Sequence, residues 1–202
     1  VEPDTMRRLA ALEGSDFAGV VANNLAQFGY ASPLPVFGGL GLNVTNPMSA
    51  AEYVCLGACG LLVQPETALT AMRAVAPRHK DGTPVPTAAL CYGHLPLMLT
   101  RACPLRNVRT SCAGCTHKGK LRDRKGRDFP VRCSAPGSAG MRTVFNPVPL
   151  YMGDRLTEMP VDLAVAAFTL EPADRVEEVL THLFHQQPFD GEFTRGLYYT
   201  NN

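Results

Sequence analysis

The chain has 202 residues, 46% of them hydrophobic, with a formal charge of +1. That length and composition suit one domain with a sizeable core, or a domain carrying an insertion. No run of about 18 apolar residues occurs, which excludes a membrane-spanning helix of the usual kind.

The first residues, Val1-Glu2-Pro3-Asp4, are acidic and lack both an initiator Met and an apolar signal region, so the chain reads as cut from something longer. Asp4 can cap a helix carrying Met6, Leu9 and Leu12 on one face, with Gly14 as its stop. Short apolar runs then predict buried strands at Phe17 to Ala22, Val36 to Leu42, Gly60 to Val63 and Thr87 to Tyr92. Between them, helices are expected over Ser49 to Leu56, ended by Gly57, and over Pro65 to Val75, with Pro at its first position. Later, Val161 to Leu170 reads as a strand. Pro172 to His185 reads as a helix with Val176, Val179, Leu180, Leu183 and Phe184 at helical spacing. This repeated βα order implies the α/β class, a mainly parallel sheet, and functional groups at the carboxyl ends of strands. The expected organisation is residues 1–102 as βα repeats, 103–142 as a cysteine-rich basic insertion, and 143–202 as a final βα unit of the same domain. Pro104 to Arg142 is expected to be an irregular excursion with contacts mostly to metal and solvent.

Two strand ends depart from plain core. Leu40 to Asn46 finishes in amides and a hydroxyl, and Leu90 to Met98 passes through Tyr92 and His94. Asn43, Tyr92 and His94 are therefore the candidate catalytic residues at a pocket mouth, although turn chemistry explains Asn43 equally well and a loop hydrogen bond explains His94. His182 and His185 are expected to be solvated or packed. No Ser-His-Asp, His-Glu-x-x-His, phosphate-loop or dinucleotide pattern is present.

The insertion carries the strongest signal. Cys103, Cys112, Cys115 and Cys133 are separated by eight, two and seventeen residues, and Cys112-Ala113-Gly114-Cys115 is a metal-ligand pair. Two further thiolates from flanking loops would complete a tetrahedral site for zinc or an iron–sulfur cluster. The polar surroundings argue against a set of buried apolar thiols. Cys55, Cys59 and Cys91 are left over in apolar sequence as reduced thiols, which favours a cytoplasmic protein. Between Arg101 and Arg132 ten Lys or Arg face two acids, a local balance of +8 in a nearly neutral chain. Arg101, Arg106, Lys118, Lys120, Arg122, Arg124, Lys125 and Arg127 are the candidate anion-binding or RNA-binding residues, and such a face also favours thiolate ligation.

Several strings together resemble one family. Tyr92-Gly93-His94-Leu95-Pro96-Leu97-Met98-Leu99-Thr100-Arg101-Ala102-Cys103-Pro104, the Cys112–Cys115 pair, and Leu121-Arg122-Asp123-Arg124-Lys125-Gly126-Arg127-Asp128-Phe129-Pro130-Val131 are similar to the U32 peptidases, the collagenase-like proteases. Gly41-Leu42-Asn43-Val44-Thr45-Asn46, Gln64-Pro65-Glu66 and Phe193-Thr194-Arg195-Gly196 extend the match along nearly the whole chain. The resemblance implies a TIM-barrel-like fold of which this chain supplies the C-terminal part, completed by another chain or a missing N-terminal segment. Three function classes then compete, two implied by the resemblance and one by the cysteines alone, which can staple a long loop. Some relatives use a cysteine-held 4Fe–4S cluster to hydroxylate RNA bases or a small aromatic molecule, and the family label points to a peptidase. The third is a non-catalytic binding or assembly subunit with a structural zinc site.

Overall fold

In the computed structural model, residues 11, 16–29, 34–106, 111–134 and 140–200 are described. All but one residue of the helix expected between Asp4 and Gly14 lies outside them. The chain divides into two compact units, one of Val1–Cys91, Arg155–Val165 and Arg195–Asn202, the other of Tyr92–Asp154 and Ala166–Thr194.

The first unit is built on parallel strands. β1 (Val20–Ala22), β2 (Val36–Gly38), β3 (Ala58–Val63) and β4 (Thr87–Gly93) pair in sequence order, each parallel to the last, and β10 (Leu163–Ala167) follows β4 in the sheet. The fold is therefore mixed α/β with a parallel sheet, as the alternation implied. β3 and β4 read as near-continuous apolar runs because they are almost wholly buried, the usual condition of central parallel strands. α1 (Pro47–Cys55) starts where Asn46 accepts a hydrogen bond from the Ser49 amide, with Pro47 at the first helical position.

Among the described residues, one expected helix is much shorter than predicted. The predicted Pro65–Val75 helix shrinks to α2 (Leu69–Met72): the Thr67 amide closes a turn on the Gln64 carbonyl, and Ala68 is extended, so no helix can begin before Leu69. The strand predicted from Val36 to Leu42 stops at Gly38 and tightens into a 3-10 turn over Leu40–Leu42. Cys55 and Cys59 are exposed, contrary to the apolar setting expected of them, and only Cys91 is buried. No described helix is long and apolar enough to cross a membrane.

The second unit corrects the largest expectation. The segment from Cys103 to Arg142 is not irregular throughout. β6 (Lys118–Arg122) and β7 (Asp128–Cys133) form a hairpin, and the sheet continues through β8 (Arg142–Phe145) to β5 (Pro96–Thr100), antiparallel in the order β5-β8-β7-β6. The physical reason is a period of two. Lys118, Lys120 and Arg122 are exposed while Gly119 and Leu121 are half-buried, and Asp123 turns the chain by accepting from the Lys125 and Arg127 amides. The remaining elements are β9 (Leu150–Tyr151), antiparallel to the end of β4, and α3 (Ala173–Phe184). Tyr92, Tyr151, Phe189 and Phe193 form an aromatic core with ring centroids 4.8 to 6.5 Å apart. Val179 and Leu183 are the buried residues of α3. Phe184, five residues past Val179 and so turned about 140° from it, is exposed.

Candidate functional site

Strand register places Cys133 at one end of the antiparallel sheet, the end near which the segments carrying Cys103 and Cys115 join it. At that end Thr100 pairs with Arg142, Arg142 pairs with Cys133, and the Cys133 amide donates to the His117 carbonyl at 2.9 Å. Cys103 lies three residues past Thr100, and Cys115 lies two residues before His117. Arg142, buried, ties the rows together by donating to the carbonyls of Arg101 (2.6 Å) and Gly140 (2.5 Å).

The Cys112–Cys115 segment is a tight turn. The Cys115 amide donates to the Cys112 carbonyl at 3.1 Å, and Gly114 takes a φ of 67°, which a side chain would resist. The His117 amide points at the Cys115 sulfur at 3.4 Å, leaving the sulfur a hydrogen-bond acceptor. On the other side, the turn closed by the Arg106 amide on the Cys103 carbonyl lays Leu105 against Gly119, where any Cβ would collide with it. Cys112 is exposed and the other three cysteines are half-buried; the described residues contain no disulfide. The donor set and the turn suit a tetrahedral thiolate centre. The side chains are not drawn together, however: among the described residues no group of three or more His, Cys, Asp or Glu is arranged to hold a metal ion.

All eight candidate anion-binding cations, Arg101, Arg106, Lys118, Lys120, Arg122, Arg124, Lys125 and Arg127, are exposed. Asp128 takes up two of them: Lys120 reaches it at 2.5 Å, and Arg122 grips it with Nε at 2.7 Å and Nη2 at 2.9 Å. The Arg122 and Lys120 hydrogen bonds hold the Asp128 carboxyl well below the usual range, so it stays an anion.

A second cluster occupies a cavity of about 360 Å³ in the same unit. Tyr92 and His94 both face Glu171, which was not singled out from the sequence. The Tyr92 hydroxyl donates to Glu171 Oε1 at 2.9 Å, and His94 Nε2 lies 3.7 Å from the same oxygen. Glu171 Oε2 accepts from the amides of Thr169 (2.8 Å) and Leu170 (2.9 Å). Burial by itself would raise the Glu171 pKa, but these backbone hydrogen bonds and the Tyr92 hydroxyl outweigh it and lower the value. Burial, then the hydrogen bond to Glu171, push the Tyr92 hydroxyl far up, so it remains a donor. His94 Nδ1 is 2.8 Å from the Asn146 carbonyl. Asn43 lies in the first unit, in a left-handed turn (φ 53°), where its Oδ1 accepts from Gln64 Nε2 at 2.5 Å. That is the turn role. The structure joins Tyr92 and His94 to Glu171 and gives Asn43 a different task.

No protein-family model matches the chain, and no curated protein matches it. One solved structure that is similar to part of it is that of the U32 peptidase Mk0906, at 19% identity and a TM-score of 0.36, covering 46% of this chain. The matched part spans 40% of that other chain.

Proposed function

We propose that the chain holds one metal centre on Cys103, Cys112, Cys115 and Cys133 and uses the exposed cations of the adjoining hairpin to grip a polyanion, with structured RNA as the substrate class. The observation that supports this reading is the strand register around Cys133, which pairs with Arg142 while its amide bonds the His117 carbonyl, two residues from Cys115. Zinc and a 4Fe–4S cluster both suit four thiolates. A cluster would supply redox chemistry for hydroxylating an RNA base or a small aromatic molecule, the activity implied by the U32-like motifs. Zinc would staple the hairpin and leave a binding role. Peptide cleavage at the centre itself is the weaker reading, because four thiolates on one ion leave no position for water. The parallel β1-to-β4 order supports the further proposal that the chain is part of a TIM-barrel-like protein completed by another segment or chain.

The test is binding of a structured RNA to the metal-loaded protein at several salt concentrations. The reading expects affinity that falls steeply with salt, since each phosphate-bound cation contributes a slope of about −0.9 in the logarithmic plot for duplex DNA. A Lys125→Ala/Arg127→Ala variant should lower the slope by about 2. Salt-independent binding, or no binding, would sink it.

A further inference from the structure

The cavity at Tyr92, His94 and Glu171 has a surplus of hydrogen-bond acceptors. The Asn146 carbonyl can only accept, so His94 Nδ1 carries the proton, and in the neutral ring Nε2 presents a lone pair. It faces Glu171 Oε1 across 3.7 Å. A carboxylate has about four acceptor positions; the Thr169 and Leu170 amides serve Oε2, the Glu171 amide also contributes, and Oε1 takes the Tyr92 hydroxyl on the side that faces the His94 lone pair. Both side chains are largely buried, His94 at 13% and Glu171 at 4% exposure, so water does not freely serve them.

Arg175, the cation in the lining, uses two of its five N–H donors away from Glu171. Arg175 gives Nη1 to Glu178 at 2.5 Å and Nη2 to the Asp190 carbonyl at 3.0 Å. The mouth adds two exposed carboxylates, Asp190 and Glu192. The walls are flat and apolar, from Pro147, Pro149, Pro172 and the Phe189 ring. That ring already carries a cation: the Arg175 guanidinium lies 4.8 Å from its centroid.

We propose that this cavity binds a small organic cation, a primary ammonium on an apolar or aromatic stem, with its nitrogen between His94 Nε2 and Glu171 Oε1. One nitrogen can reach two acceptors 3.7 Å apart at normal hydrogen-bond lengths of about 2.9 Å, donating one N–H to each. The stem lies along the prolines and Phe189, and the rim carboxylates repel anions of the same shape. The site needs no metal, so its test is independent of the thiolate centre.

Calorimetric titration of the full chain with phenethylammonium, phenylethanol and phenylacetate tests this, alongside nitrogen NMR of the His94 ring. Saturable binding of the amine is expected, with the alcohol and the acid roughly tenfold weaker or worse, and the His94 Nε2 resonance should move with the amine. Glu171→Gln should weaken the amine by roughly tenfold. Asp190→Asn, on the exposed rim, should weaken it by roughly twofold to threefold. The proposal is overturned if phenylacetate binds as well as the amine or if the His94 resonance does not respond. It also falls if no amine binds because a doubly protonated His94 pairs with Glu171.

Discussion

The cysteine end of the antiparallel sheet and the Glu171 cavity belong to the same compact unit, yet one is open and the other is already made. At Glu171 the side chains are already held: hydrogen bonds from Tyr92, Thr169 and Leu170 fix the carboxylate, and Asn146 fixes His94. At the sheet end, among the described residues, no three thiols are gathered to hold a metal ion. The difference follows from what supplies the binding energy. A buried carboxylate must be satisfied by the chain itself, because an unpaired charge in that position would be expelled or neutralised. Thiols in a polar loop carry no such penalty, and their assembly can be driven by the ligand, since metal binding and local folding share one free energy.

The largest effect that would sharpen this contrast is at the thiols. Replacing Cys112 and Cys115 together by Ser should abolish metal retention, measured by elemental analysis, and raise hydrogen exchange across β6 and β7. The Tyr92–Glu171 hydrogen bond should be untouched. Exchange unchanged in the hairpin would mean that the centre does not staple it.

Next in size is the aromatic core beneath the cavity. Tyr151 is fully buried and donates to the Gln187 carbonyl at 2.5 Å. Tyr151→Ala should cost about 3–5 kcal/mol, read as a shift in denaturant midpoint. A loss below about 1 kcal/mol would show that this packing is not what fixes the cavity.

Glu171 gives a smaller effect with a definite sign. Its folded pKa is below the ordinary value of 4.5. Its contribution to stability is therefore present above about pH 4.5 and is lost as pH falls through the folded value. Glu171→Gln should flatten that acid limb of the stability curve and leave stability at still lower pH nearly unchanged. An acid limb identical in the variant contradicts the assignment.

The smallest effect lies on the hairpin surface. Asp128→Asn releases Lys120 and Arg122 from their carboxylate, and should leave stability nearly unchanged while steepening the salt dependence of polyanion binding. An unchanged salt slope would show that those two cations do not meet the polyanion.

Much of this was visible in the residues, and the failures have physical causes. β4 was legible because a fully buried strand must be apolar along its whole length, and α1 was legible at its end, before Gly57, although the Asn46 cap and Pro47 start it two residues before the expected Ser49. The β6–β7 hairpin was hidden. Its alternation is carried by Lys118, Lys120 and Arg122 around Gly119 and Leu121, which reads first as a charged loop rather than as a half-exposed strand. Glu171 escaped for a different reason: its partners Tyr92 and His94 stand 79 and 77 positions earlier, and only the fold brings them together. The Leu170-Glu171-Pro172 string marks the start of a helix and says nothing of a buried carboxylate. Asn43 was noticed because it ends a strand in an amide, a pattern that a left-handed turn produces as readily as a catalytic site does.

The account rests most on the four-thiol centre, and metal analysis joined to a visible absorption spectrum of anaerobically purified protein tests it most directly. The account predicts one centre per chain, either about one zinc with no visible band or iron and acid-labile sulfide with a broad visible band. In both cases it is lost when Cys103 or Cys133 is replaced by Ser. Protein that folds normally with neither zinc nor iron, or that keeps its metal after all four cysteines are replaced, would contradict it.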